Sequence, residues 1–188
     1  MTIREQQRRK IWRALQTAAI NLVDEHGFAG VTVDDIASAA GVSRRTFFNH
    51  FPTKAAALFD PDPDDADRLA SLLGRLDNQV DLWPALRSVC VSFVTGHENV
   101  IAVRRRLIED EPELDQYHRT AHQHVEMALR RWAATRTDFD PYTAELLTHS
   151  ATAVLISAFS IWKADDDPAH FVTLVERGFD IISAGFPT

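Results

Sequence analysis

The stretch that decides the fold is TVDDIASAAGVSRRTFFNHFPTKAAALF, from Thr32 to Phe59. Thr32 followed by acidic residues in the first turn, Asp34 and Asp35, is typical of a helix start, and Gly41 is typical of the residue just past a helix end. Ser43 then predicts a second helix cap after a turn of about three residues. Two short helices joined by a tight turn that contains glycine indicate a helix-turn-helix.

The second short helix divides its residues between two faces. Phe47 and Phe51 are four residues apart and share one face, so we expect them in the core of a three-helix unit. The other face carries charges and amides, which would need buried partners if they pointed inward. It suits a DNA major groove, because arginine reads guanine edges and asparagine reads adenine edges. The outward residues are Arg44, Arg45, Thr46, Phe48, Asn49 and His50.

Charge is unevenly distributed along the 188 residues, whose formal net charge is −7. Residues 1–56 hold eight Lys and Arg against five Asp and Glu, a net charge of +3, so the remaining 132 residues carry −10. A basic head on an acidic body fits a protein that docks a polyanion with one end only.

The first predicted helix begins at a capping box from Thr2 to Glu5 and ends at Gly27. Two interpretations of its basic face remain open. The face is either a solvated surface that keeps the protein soluble, or an arm that adds phosphate or minor-groove contacts. The basic residues are Arg4, Arg8, Arg9, Lys10 and Arg13.

The remaining sequence shows only helical periodicity, so we predict an all-α protein. A break at Asp60–Asp65, which contains two prolines, separates the head from about six further helices. We therefore expect a three-helix DNA-binding domain with a helix-turn-helix at residues 1–56. A helical-bundle domain for ligand binding and dimerisation is expected at residues 57–188.

Cysteine content and hydropathy predict a cytoplasmic protein without a membrane span. Cys90 is the only cysteine, so no internal disulfide is possible. The first residues lack the apolar segment of a signal peptide. The longest apolar stretch, residues 151–162, is shorter than the roughly 20 residues that cross a bilayer.

The stretch from Thr32 to Phe59 resembles the helix-turn-helix signature of the TetR family of bacterial transcriptional regulators. The resemblance includes the turn glycine, the aromatic pair, the histidine and the lysine that opens the next helix, and it extends over residues 10–59. The stretch RRRLIEDEPEL, residues 104–114, is similar to one common in actinobacterial members. Elsewhere the chain agrees with the family in helical content and length.

The resemblance implies roles residue by residue. Arg44, Arg45 and Thr46 would approach bases or phosphates, and Phe48, Asn49 and His50 would lie along the DNA. Lys54 would meet a phosphate, and Thr32 would donate to the DNA backbone. The family usually has tyrosine where Phe48 stands, so that side chain either contacts a thymine methyl or packs.

Large side chains in the body leave room for a pocket, although we expect most of them to be core. Apolar pockets with a few polar groups bind small ligands inside helical bundles. The resemblance implies that such a ligand weakens operator binding by shifting a population between two states. The predicted ligand-binding residues are Trp83, Phe93, His97, Tyr117, His118, His122 and Trp132.

A small DNA-binding protein makes more contacts with DNA when two copies bind a pseudo-palindromic site as a two-fold dimer. The last two predicted helices offer long apolar faces with small residues, and the resemblance implies a four-helix interface built from them. The predicted interface consists of Val154, Ser157, Ala158, Ile161, Phe171, Leu174, Val175 and Phe179.

His118, His122 and Glu126 recur at a spacing that could present metal ligands on one helix face. The chain contains eight histidines, so such a spacing is unsurprising, and a single helix stripe needs ligands from elsewhere. We therefore predict a solvated polar face, with neither a metal nor another cofactor.

The leading hypothesis is a homodimeric, non-enzymatic regulator of double-stranded DNA. It would be a repressor released from a palindromic operator by a small apolar or amphipathic ligand. Phosphate-binding loops and catalytic motifs are absent from the sequence. Two alternatives stay open: a body that senses a metal or a protein partner, and an enzyme on a helical scaffold.

Overall fold

A computed structural model describes residues 2–76, 81–136, 138–163 and 165–185. Every regular element in those residues is helical, which confirms the all-α prediction. A 3₁₀ turn at Pro112–Leu114 lies between α7 and α8. The helices are α1 (Ile3–Gly30), α2 (Val33–Ala39), α3 (Arg44–Phe48), α4 (Lys54–Phe59), α5 (Asp65–Gly74), α6 (Leu82–Val94), α7 (Glu98–Asp110), α8 (Asp115–Ala133), α9 (Pro141–Ile161) and α10 (Pro168–Ala184).

The chain forms two compact units. The first comprises Met1–Pro63 and Val103–Ala121, and the second comprises Asp64–Ala102 and His122–Thr188. Arginines attach the later segment of the first unit to its early helices. Arg104 Nε donates to the Leu58 carbonyl oxygen at 2.7 Å, and Arg106 pairs with Asp24 of α1. The proposed domain boundary between residues 56 and 57 stays a prediction.

Helix α1 starts where its sequence predicts, and its regular geometry is interrupted at Gly27. Thr2 and Glu5 form the predicted capping box, in which the Thr2 N–H donates to Glu5 Oε2 at 2.6 Å. Gly27 leaves helical geometry, with a φ of 73° and a ψ of 164°, a conformation open to glycine. The chain then continues to Gly30. Gly27 therefore interrupts the regular helix where the sequence predicts its end, and a further short helical stretch follows it.

An aromatic core holds α3 in the first unit. Phe47 and Phe51 are fully buried, as predicted, and their ring centroids are 5.9 Å apart. Trp12 of α1 lies 5.1 Å from Phe51, in a tilted arrangement that is favourable between aromatic rings. Ile36 of α2 is also fully buried. One face of α3 is therefore fixed in the core, which directs its other face outward.

Lys54, the first residue of α4, satisfies backbone oxygens at the end of α1. Its Nζ donates to the carbonyl oxygens of Phe28 and Val31, the latter at 2.7 Å. The same atom lies 3.9 Å from the centroid of the Phe28 ring. Burial lowers the pKa of Lys54, against the opposing effect of Glu111. Two of the three ammonium hydrogens are thus engaged within the protein.

Close helix contact characterises the second unit. A Cβ atom added to Gly178 of α10 would lie 2.7 Å from Cγ1 of Val154 on α9. The rings of Trp162 and Phe171 continue this contact, with centroids 5.3 Å apart. Helix α6 joins the pair and contacts both α9 and α10. These three helices contribute buried apolar residues to the core of the second unit.

Among the described helices, only α9 is long and apolar enough to cross a membrane by length and composition. Its 21 residues exceed the apolar stretch 151–162 considered from sequence. Ala151, Val154 and Ala158 are buried within the chain. Packing against α6 and α10 therefore accounts for part of the apolar composition of α9.

We expect Lys54→Met to lower the free energy of unfolding by roughly 1.5–3 kcal/mol, the range for hydrogen bonds from a charged donor. The variant keeps an apolar stem but leaves the Phe28 and Val31 oxygens without this donor. Thermal unfolding followed by circular dichroism measures the loss. Lys10→Met removes the same charge from an exposed position of α1 and serves as the control. Equal Tm values for the two variants would contradict this role of Lys54.

We expect Gly178→Val to destabilise the protein by roughly 1–3 kcal/mol, because extra carbon atoms overpack a tight contact. Val154 yields little, since a β-branched side chain in a helix has one strongly preferred rotamer. Urea unfolding midpoints give the comparison. Gly74→Val is the matched control, because no described atom beyond its own helix and neighbours lies within 4 Å of the added Cβ. If both variants unfold at the same urea concentration, the α9–α10 contact does not require glycine.

Candidate nucleic-acid interface

The turn between α2 and α3 is fixed by glycine and two backbone hydrogen bonds. Gly41 has a φ of 68°, in the left-handed region that favours glycine. The Val42 N–H donates to the Ala37 oxygen at 2.9 Å, and the Gly41 N–H donates to the Ser38 oxygen at 3.0 Å. This pair of bonds is a Schellman motif, which ends α2 and lets α3 begin three residues after the glycine.

Hydroxyl side chains cap both helices. Ser43 Oγ accepts from the Thr46 N–H at 3.1 Å. Thr32 Oγ1 accepts from the Asp35 N–H at 3.2 Å and donates to Asp35 Oδ2 at 2.6 Å. This hydroxyl is the largest cause that lowers the pKa of the Asp35 carboxyl, followed by the Thr32 N–H. The hydroxyl hydrogen that the resemblance implied for the DNA backbone is therefore engaged in the capping box.

Most of the predicted outward face of α3 is exposed. The ring of Phe48 is 45% exposed and lies edge-on to buried Phe47, with centroids 5.4 Å apart. Thr46 and His50 are half-buried, so they contribute less surface than the sequence predicted. The exposed members of the face are Arg44, Arg45, Phe48 and Asn49.

The two adjacent arginines have different surroundings. Arg44 Nη1 lies 2.8 Å from Asp34 Oδ2 on α2, and its guanidinium carbon lies 5.2 Å from the Phe48 ring centroid. Arg45 is exposed and has no side-chain partner among the described residues. Sequence spacing treated the pair as equivalent, because it could not foresee which arginine the carboxylate of α2 reaches.

His50 lies where α1 comes near the end of the helix-turn-helix. Its Nδ1 is buried and lacks a hydrogen-bond partner in the described part of the chain. Burial is the main cause that lowers the pKa of His50, and the positive charge of Arg8 lowers it further. Arg8 is therefore near the candidate interface. Arg4 is exposed like Arg8, whereas Arg9 is half-buried.

Phe93 and His97, two of the predicted ligand-binding residues, come together around Arg68 in the second unit. The Arg68 guanidinium carbon lies 4.3 Å from the Phe93 ring centroid, and its Nη1 lies 2.9 Å from His97 Nε2. Asp65 pairs with the same guanidinium at 3.1 Å. The ring of His124 is 6.4 Å from that of Phe93. This cluster joins an aromatic surface to a cation and two imidazoles.

Three other predicted ligand-binding residues of the second unit have different environments. Trp83 Nε1 donates to Ser183 Oγ at 2.9 Å, so this side chain joins α6 to α10. The Arg136 guanidinium carbon lies 5.6 Å from the Trp132 ring centroid. His122 is exposed. Trp83 and Trp132 therefore make contacts within the chain, in line with the expectation that most of these large side chains pack.

The last two predicted ligand-binding residues belong to the first unit. Tyr117 and His118 both lie against Phe59 of α4, with ring centroids 6.5 Å away in each case. His118 is buried. An open depression of about 660 Å³ in this unit contains none of the predicted ligand-binding residues. It is lined by Pro112, Glu113, Asp115, Gln116, Arg119 and Thr120.

Most of the predicted dimer interface is buried within the chain itself. The five buried residues lie on α9 and α10, which contact each other, so their apolar spacing serves the packing of this helix pair. They are Val154, Ala158, Phe171, Val175 and Phe179.

The rest of that predicted interface is more accessible. Ser157 is exposed, Ile161 is 72% exposed, and Leu174 is half-buried. Exposed apolar residues that the predicted set omitted accompany them on the same two helices. These are Leu146, Ile156 and Ile181, which are 51%, 59% and 40% exposed.

Metal-binding and nucleophilic chemistry find little support in the geometry. His118 is buried whereas His122 is exposed, so the two side chains differ in their access to solvent. Glu126 instead lies 3.3 Å from His149. The described residues contain no group of three or more side chains placed to hold a metal. Burial raises the pKa of the Cys90 thiol to about 12, so its reactive thiolate is scarce at neutral pH.

Known proteins resemble this chain in both halves. Residues 15–60 match the model of the bacterial regulatory proteins of the tetR family, and residues 80–187 match that of the MftR C-terminal domain. A Mycobacterium tuberculosis protein described as a candidate mycofactocin biosynthesis transcriptional regulator, MftR, is 32% identical over 182 residues. This match covers 91% of the chain and 88% of the relative.

Solved structures share the fold. A candidate TetR-family regulator from Syntrophomonas wolfei has a TM-score of 0.70 and 16% identity, with 98% of each chain covered. FadR from Thermus thermophilus, a TetR-family repressor solved with lauroyl-CoA, has a TM-score of 0.60 and 19% identity. That match covers 94% of this chain and 95% of FadR.

Family models and the MftR relative together account for almost the whole chain, and they agree with the helix-turn-helix geometry. Proteins of this family are DNA-binding transcriptional regulators rather than enzymes, which confirms the predicted class. The chain belongs to the tetR family of bacterial regulatory proteins.

Proposed function

We propose that this regulator is a homodimeric repressor that binds a palindromic operator through α3 and is released by a small amphipathic ligand. The exposed first turn of α3, with Arg44 and Arg45 at its start, is the observation that carries the proposed DNA interface. Cations at this point suit both phosphate neutralisation and base-edge recognition. The DNA-binding function is assigned to residues 1–56, and ligand binding and dimerisation to residues 57–188.

Other residues of the head extend this proposed contact. Asn49 offers an exposed amide for an adenine edge, and the exposed ring of Phe48 suits a thymine methyl. The half-buried Thr46 and His50 lie along the DNA with their accessible edges. Lys54 has one hydrogen left for a phosphate after its two bonds to α1.

Phosphate contacts at the margin of the interface complete the proposal. Arg4 and Arg8 are exposed on α1, and Arg8 lies near His50, so they suit the adjoining DNA backbone. Arg9 is a less accessible member of the same basic face. Thr32 contributes to the proposed interface by capping α2, which precedes α3.

We propose that the protein dimerises through exposed residues of α9 and α10, which we call the exposed strip. It is apolar at Leu146, Ile156 and Ile161, and small at Ser157. Small residues allow two helices to approach closely, and an isologous pairing of α9 and α10 gives a four-helix interface. Ile181, exposed on α10, extends the strip.

The proposed effector is a small amphipathic molecule held in the second unit. Phe93 offers an aromatic surface there, while Arg68 and His97 offer polar groups. The FadR repressor of similar fold was solved with lauroyl-CoA, which makes acyl-CoA esters a reasonable first ligand class. We place the protein in the cytoplasm, with α9 packed in part within the chain.

We expect the purified protein to bind DNA from upstream of its own gene more tightly than a scrambled duplex. Each arginine at a base or phosphate contributes about 1–3 kcal/mol, so removing Arg44 and Arg45 together should weaken this binding about 30-fold or more. Fluorescence anisotropy at about 50 and 200 mM salt measures both affinity and its salt dependence.

The control for this experiment replaces two exposed arginines of the second unit, Arg75 and Arg131, with alanine. It makes the same change in net charge away from α3. If the two double variants lose affinity equally, the DNA interface does not lie on α3.

We expect Leu146→Glu to dissociate the dimer, because it places two like charges and their desolvation cost near the two-fold axis. Sedimentation equilibrium would report a monomer with unchanged helical circular dichroism, since this side chain is exposed within one chain. Ile3→Glu, at a position that is 85% exposed on α1, is the control and should leave the dimer intact. A dimeric Leu146→Glu variant would place the interface elsewhere.

A further inference from the structure

Asp34, in the first turn of α2, distinguishes the two neighbouring arginines of α3. Its Oδ2 lies 2.8 Å from Arg44 Nη1, and both side chains are more than half exposed. Arg45, the next residue, is exposed and has no side-chain partner among those described. One arginine is thus paired with a carboxylate, and the other has no such partner among the described residues.

Phe48 adds a second restraint on Arg44. The guanidinium carbon lies 5.2 Å from the ring centroid, within the range of a cation–π contact. The Phe48 ring itself stands at 82° to that of Phe47, which is fully buried. Phe48 therefore connects Arg44 to the buried aromatic core of the first unit.

Orientation matters because a guanidinium reads guanine through two parallel hydrogen bonds to O6 and N7. An arginine already held in one plane loses less side-chain entropy when it forms this pair. A phosphate accepts hydrogen bonds from many directions and requires no such restraint. Arg44 is therefore better suited to a base edge, and Arg45 to a phosphate.

The charge of Asp34 acts on every duplex. An exposed carboxylate beside the DNA repels phosphates whatever the sequence, so it weakens binding to all sites. Only at a cognate site does Arg44 gain a guanine edge that offsets this repulsion. The carboxylate therefore widens the difference in affinity between cognate and non-cognate DNA.

We propose that Asp34 is a specificity-determining residue, which orients Arg44 toward a guanine edge and disfavours non-cognate duplexes, while Arg45 neutralises a phosphate. This inference rests on the proposed function, because it requires α3 to meet the major groove.

The test begins with a duplex selected by the full-length wild-type protein from a random library. Affinities for this duplex and for a scrambled one are then measured by anisotropy over a salt series. The variants are Asp34→Asn, Asp34→Glu, Arg44→Ala, Arg45→Ala and Asp34→Asn combined with Arg44→Ala. Glu113→Gln, which removes one negative charge from an exposed position elsewhere in the first unit, is the control.

For Asp34→Asn we expect the ratio of selected to scrambled affinity to fall about tenfold, within the range that one bidentate base contact supplies. Scrambled DNA should bind more tightly, with a log–log salt slope steeper by about 0.9 as Arg44 turns to a phosphate. Asp34→Glu should keep a ratio closer to that of the wild type. Arg45→Ala should weaken both duplexes in parallel, and Glu113→Gln should change neither ratio nor slope.

Three results would overturn the inference. If Asp34→Asn keeps the wild-type ratio while the wild type discriminates well, Asp34 has no part in specificity and the proposed function stands. If the ratio falls equally when Arg44 is already alanine, Asp34 does not act through that arginine. If the wild type selects no duplex at all, the proposed function fails together with the inference.

Discussion

The structure of the head depends on the burial of two phenylalanines on one side of a helix of five residues. Phe47, within α3, and Phe51, just beyond it, are fully buried, and Trp12 of α1 packs against Phe51. So short a helix has little stability of its own, and tertiary contacts must hold it. Once these rings are fixed, the rotation of α3 about its axis is fixed as well. The exposure of Arg44, Arg45 and Asn49 is a consequence of this core.

Basic residues of the first unit divide between structural and exposed positions. Lys54 donates to backbone oxygens near the end of α1, and Arg104 donates to the Leu58 oxygen of α4. Arg106 pairs with Asp24. These cations stabilise the helices that support α3, whereas Arg45 remains accessible to DNA. A count of positive charge therefore overstates the number of cations that are available for phosphates.

In the second unit, α9 and α10 pack against each other and also carry exposed apolar residues. Gly178 allows α10 to approach Val154 of α9, and the buried faces of both helices form the core. Their other faces still carry exposed apolar residues, including Ile156 and Ile161. A folded chain that leaves this strip exposed has a physical reason to associate with a second copy, because exposed apolar area has a cost in water.

The sequence by itself determined the helical class, the helix-turn-helix and the division of α3 into two faces. These features follow from local rules, namely helix caps at Thr32 and Ser43, a left-handed glycine at Gly41, and the i, i+4 spacing of Phe47 and Phe51. Each rule acts over a few residues, so it can be read without knowledge of the fold. The TetR resemblance predicted from these residues is confirmed by both family models.

Only the tertiary structure decided which partner each side chain meets. Asp34 reaches Arg44 rather than Arg45, Lys54 reaches the end of α1, and Val154 faces α10. The interacting residues are far apart in the chain or lie on different helices, and no local spacing specifies their distance. The helical spacing of apolar residues likewise does not indicate whether they pack against another helix of the same chain or against a second copy of the protein. Helix caps and apolar spacing are properties of a single helix, whereas the contacts of each side chain depend on how several helices pack together.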